Sequence, residues 1–140
     1  MPTFHHLIGG KAVSSPKSFR SLSSCNLADE VGVFPEASQE QVRQACKAAR
    51  EAFKRWSKTP APIRGEIIGS LGKALEREKE ALSRLVTREM GKTLKEARGD
   101  VQEAIDTCHF FQSEGRRLYG QTVPSEMRNK ELYTYRRPRG

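Results

Sequence analysis

The sequence has no run of eighteen apolar residues, which removes a membrane-spanning helix from consideration. Its first residues, Met1-Pro-Thr-Phe-His-His6, have neither the basic stretch nor the apolar core of a secretory signal, so a cytoplasmic location is the default. Cysteine is scarce: Cys25, Cys46 and Cys108 are an odd number at spacings that fit no zinc site. They are expected to be small buried hydrophobes in a reducing compartment, Cys46 and Cys108 lying on apolar helix faces. Tryptophan occurs once, and apolar residues make up only 36% of the chain. The mean hydropathy of -0.69 is on the polar side of globular. A chain of 140 residues can still bury a modest core, and some of its apolar surface is expected to serve something outside the chain.

Charge is present in abundance. The net value of +8 raises the question of nucleic acid, but Lys and Arg are interspersed with Glu along the helical stretches, as in Glu76-Arg-Glu-Lys-Glu80. The one biased stretch is 116–140, with seven basic residues against two Glu and with Tyr119, Tyr133 and Tyr135 among them. No recognition-helix or RNA-binding motif accompanies it, so a basic nucleic-acid-binding domain is a subordinate reading.

Taken in order, Phe4 to Val13 reads as a hairpin turning at Gly9-Gly10. His5 and His6 would point to opposite faces of that strand, which disfavours a shared metal ion. Phe19-Arg-Ser-Leu22 and Val31-Gly-Val33 read as strands flanking a polar loop, the second ending at Phe34-Pro35. Ser38-Gln-Glu-Gln41 has capping-box spacing and opens a helix. Its Val42, Ala45, Cys46, Ala49, Ala52, Phe53 and Trp56 form an unbroken apolar stripe that must pack on something. Thr59-Pro-Ala-Pro62 separates it from a second helix with a seam of Ile63, Ile67, Leu71, Ala74, Leu75, Leu82, Leu85 and Val86. Gly69 and Gly72 lower its intrinsic helicity by roughly 1 kcal/mol each. The Glu76–Glu80 run leaves room for a kink. After Gly120, residues 131–136 alternate as a strand with no internal partner of comparable length, an edge open to pairing.

The stretch Thr87 to Ile105 joins the second helix to the third. Gly91 suits the left-handed residue that ends a helix, and Thr93-Leu-Lys-Glu96 has the spacing of a second capping box. Leu94, Ala97, Val101, Ala104, Ile105 and Cys108 then share one face to about Gly115. Lys92-Thr93 has only the tail of a phosphate loop.

Glu89-Met-Gly-Lys92 followed by Glu96-Ala-Arg-Gly-Asp-Val101 resembles the E-x-G-K…EA-x-x-(D/E)-(V/I) signature in the amino-terminal region of aldehyde dehydrogenases. Ala49-Arg-Glu-Ala-Phe-Lys-Arg-Trp56, Pro62-Ile-Arg64 and Arg137-Pro-Arg-Gly140 follow the same family's order. The resemblance runs from about Leu7 onward. It departs from the family at Asn26-Leu-Ala28, where relatives carry N-P-A.

The resemblance implies a mostly α chain with short peripheral strands, forming the amino-terminal part of an α/β aldehyde dehydrogenase with a Rossmann-like cofactor domain. Residues 1–37 would be a strand and loop segment, 38–118 helices that pack on the cofactor domain, and 119–140 the start of an oligomerisation arm. It implies NAD or NADP as cofactor and sister subunits as partners for the complete protein. Such an enzyme oxidises an aldehyde to an acid through a cysteine thiohemiacetal, with donors for the oxyanion and a glutamate to activate water. Those residues lie beyond the R-x-P-x-G element in relatives. None of Cys25, Cys46 and Cys108 matches the surroundings of the nucleophile, and no residue here is put forward as catalytic, cofactor-binding or metal-ligating. The 140-residue chain alone is expected to be inactive. Asp100 falls where some relatives contribute an acidic group to a monovalent-cation site, although a solvated or capping Asp is the reading its local sequence favours. A stand-alone helical interaction module derived from the family is the alternative.

Overall fold

The computed structural model describes residues 3–139; the family motif's last residue, Gly140, lies outside them. Two short hairpins lead into three long helices, and a third hairpin follows. The strands are β1 (His6–Ile8), β2 (Lys11–Val13), β3 (Ser18–Leu22), β4 (Glu30–Pro35), β5 (Thr122–Pro124) and β6 (Glu131–Tyr133). The helices are α1 (Gln39–Trp56), α2 (Ala61–Met90) and α3 (Leu94–Glu114). The mostly α expectation with peripheral strands holds.

Each strand pairs antiparallel with its neighbour in sequence: β1 with β2, β3 with β4, β5 with β6. Gly9 and Gly10, at φ 59° and 77°, supply the two positive-φ positions of the tight β1–β2 turn. β3 and β4 slip register between Ser21 and Leu22. On one face of this sheet Phe34 stacks with Phe4 at 4.6 Å and with Phe19 at 5.8 Å between ring centroids. His5 is exposed and His6 half-buried, as alternation along a strand requires.

The final strand differs from expectation. It spans three residues rather than six, and it does have an internal partner in β5, with Val123 opposite Leu132. Asn129, at φ 59°, and the Ser125 hydroxyl accepting from the Met127 amide (3.1 Å) reverse the chain between them.

The core is the contact of α2 with α3. From α3 come Ala97, Val101, Ile105 and Cys108, all buried; from α2 come Gly65, Gly69, Gly72 and Ser83. The seam expected along α2 holds only in part: Ala74, Leu75, Leu82 and Val86 are half-buried, while Ile63, Ile67, Leu71 and Leu85 are exposed. Small residues face α3 because the helices approach closely. A Cβ on Gly65 would lie 2.5 Å from the Gln112 carbonyl oxygen, and one on Gly69 would lie 2.3 Å from the Gln112 side chain. The expected intrinsic cost of glycine in α2 is thus offset by the contact it permits.

α2 runs as one continuous helix through the Glu76–Glu80 run rather than as two shorter ones. Glu80, in the middle of the charged run, receives the fork of Arg98 (2.8 and 2.9 Å) and pairs with Arg84 one turn on (3.0 Å). The Lys79 ammonium reaches Gln102 at 2.6 Å. Charges that could repel within the run are paired across to α3, and no proline breaks the hydrogen-bond ladder.

The first helix is the exception to all this packing. Ser38 caps it as expected: its hydroxyl accepts from the Gln41 amide (3.2 Å), and the Gln41 side chain accepts from the Ser38 amide (2.9 Å). Yet α1 contains no buried residue. Cys46, expected to be buried on its apolar stripe, is exposed, because among the described residues that stripe is covered only in part, with Phe53 half-buried.

Candidate functional site

Two features could carry function: the joint where α2 ends, and the open face of α1. At the joint, Gly91 takes φ 78° and its amide donates to the Thr87 carbonyl at 2.9 Å. This left-handed cap ends α2 as its sequence predicts. Thr93 then starts α3 with a complete capping box. Its hydroxyl accepts from the Glu96 amide (3.3 Å) while the Glu96 carboxylate accepts from the Thr93 amide (3.0 Å) and hydroxyl (2.8 Å). Those bonds from Thr93 hold the Glu96 carboxyl below the usual glutamate range.

The loop between β3 and β4 closes over this joint. Asn26 folds it, with its side-chain oxygen accepting from the Ala28 amide (3.1 Å) and its carbonyl from the Asp29 amide (2.8 Å). The Ser24 hydroxyl donates to the Glu89 carbonyl at 3.3 Å, and the Cys25 thiol points to the Gly91 carbonyl at 3.7 Å. Two carbonyls at the end of α2 thereby gain side-chain donors. Arg88 closes the assembly. Its guanidinium donates to both oxygens of Asp29 (2.8 and 2.5 Å) and to the Glu30 carbonyl (2.9 Å). Glu30 in turn takes the fork of Arg20 on β3. Hydrogen bonds from these arginines hold Asp29 and Glu30 below the ordinary carboxylate range.

Lys92 and Asp100 meet in an ion pair beside the joint. Asp100 stays exposed to solvent in that pair, as the solvated reading expects, and it caps no helix. Among the described residues no three His, Cys, Asp or Glu side chains are grouped to hold a metal ion. Cys25 is exposed, against the expectation of a buried thiol, because its loop lies over the α2 terminus; Cys108 is buried as expected. Sequence spacing gave no sign of Arg20, Asp29, Glu30 and Arg88, since local rules do not reach across 59 residues.

A dinucleotide pyrophosphate needs free amides at a helix start. The capping boxes of α1 and α3 occupy the amide of the capping residue and the amide three residues on, and α2 begins after Pro60 with Pro62 in its first turn and no side-chain cap.

The open face is apolar and concave. Ala49, Ala52, Phe53 and Trp56 line a groove of about 560 Å³. Beyond Trp56 a second groove, of about 440 Å³, runs between Arg64, Ile68, Leu71, Phe111 and Leu118. The Arg64 guanidinium sits 5.9 Å from the Trp56 ring centroid. By contrast, much of the basic carboxyl-terminal stretch is internally engaged. Arg116 pairs with Glu66 (3.4 Å), Arg117 with Glu114 (2.6 Å), and Arg136 donates to the Tyr119 carbonyl (3.3 Å). No helix among the described residues is long and apolar enough to cross a membrane.

The family model "Aldehyde dehydrogenase family" matches residues 13–140. Aldehyde dehydrogenase family 7 member B4 of Arabidopsis thaliana is 43% identical over 141 residues, covering 99% of this chain and 28% of that protein. Malonate-semialdehyde dehydrogenase 1 of Shouchella clausii is 34% identical, covering 95% of this chain and 27% of that protein. Among solved structures, an NADP-dependent enzyme of E. coli superposes with a TM-score of 0.87 at 29% identity over 92% of this chain and 27% of its own. An NAD-dependent aldehyde dehydrogenase from Sinorhizobium meliloti gives 0.86 at 26% identity over 93% of this chain and 27% of its own. The chain spans about a quarter of the length of these relatives. By the family model over residues 13–140 and the identity to these relatives, the chain belongs to the aldehyde dehydrogenase family, of which it carries an amino-terminal segment.

Proposed function

We propose that this segment is the structural amino-terminal part of an NAD(P)-dependent aldehyde dehydrogenase and contributes no catalytic, cofactor-binding or metal-ligating residue of its own. Residues 38–118 pack on the cofactor domain through the open face of α1, and 119–140 begin the oligomerisation arm of a homo-oligomer. In the complete enzyme an aldehyde is oxidised to the acid; the nucleophilic thiolate, oxyanion donors and water-activating glutamate belong to the rest of that polypeptide. Three free cysteines suit a cytoplasmic, reducing setting.

The observation that carries this reading is α1: eighteen residues, a continuous apolar stripe, and none of it buried. A stripe holding Val42, Phe53 and Trp56 is costly to leave in water, so it calls for cover. The same face favours one other reading, a stand-alone helical interaction module. Aldehyde-dependent reduction of NAD+ or NADP+ separates them. The 140-residue chain should show none, and a complete dehydrogenase carrying this segment should show turnover. Turnover by the chain alone, or a complete protein without turnover, overturns the proposal.

A further inference from the structure

We draw no further inference here: the strongest candidate, the apolar groove between the last turn of α1 and the α2–α3 hairpin lined by Trp56, Arg64 and Phe111, belongs to the open face already assigned to the rest of the dehydrogenase polypeptide, and nothing in the structure shows what else covers it.

Discussion

Arg88, in the last turn of α2, grips both carboxylate oxygens of Asp29 at 2.8 and 2.5 Å and so ties the β3–β4 loop to the joint between α2 and α3. The pair is solvent-exposed, where ion pairs contribute little to global stability. Its effect should be local. In Arg88→Ala, amides of the 23–30 loop should exchange faster while those of α2 and α3 keep their protection. Arg88→Lys should behave like Arg88→Ala, because an ammonium cannot reproduce the fork. Hydrogen exchange read by mass spectrometry distinguishes the three proteins.

The same pair gives a pH dependence with a definite sign. Asp29 is held below the usual aspartate range by Arg88. Its contribution is therefore fully present above the unfolded value of about 3.9 and is lost as pH falls through the lower folded value. Exchange of the 23–30 amides in the wild type and Arg88→Ala, compared at each pH, should differ at neutral pH and converge in strong acid. A difference that grows on acidification contradicts this assignment.

The capping box at Thr93 should be worth about 1 kcal/mol. Thr93→Ala removes the acceptor for the Glu96 amide and the donor to the Glu96 carboxylate. Thr93→Ser keeps both and should stay close to wild type. Chemical denaturation of the two variants tests the ranking.

Close approach of α2 and α3 predicts an asymmetry between two glycines. A methyl group at Gly65 meets the backbone oxygen of Gln112, which has nowhere to go; one at Gly69 meets the movable end of the Gln112 side chain. Gly65→Ala should destabilise by roughly 1–3 kcal/mol. Gly69→Ala should be near neutral, as a helix-propensity gain of about 1 kcal/mol offsets the displaced amide. Equal denaturation midpoints would contradict the packing described here.

What was legible in the sequence was local. Both capping boxes, the Gly91 terminus and the Gly9-Gly10 turn obey rules that act over two to four residues, and the structure reproduces each of them. Most of the buried face of α3 was legible for the same reason, since Ala97, Val101, Ile105 and Cys108 repeat at helical spacing, although Ala104, read onto the same face, is exposed. Tertiary relationships were not. Gly65, Gly69 and Gly72 form the contact face of α2, yet a glycine in a helix reads only as weakened propensity until the partner helix is in place. The partner of β6 was missed because β5 is only three residues long and contains Pro124. Cys46 lies on the stripe that the periodicity identified, but periodicity says which residues share a face and not whether the chain covers it. Of the joint, the α2–α3 turn was foreseen, while the Arg88–Asp29 tie required the fold itself.

The most direct measurement is hydrogen exchange of the α1 amides, compared between the 140-residue chain and a complete aldehyde dehydrogenase carrying this segment. The account predicts that α1 exchanges much faster than α2 and α3 in the isolated chain and gains protection in the complete enzyme, where its apolar face is covered. Protection of α1 equal to that of α2 and α3 in the isolated chain, or no gain in the complete enzyme, would contradict it.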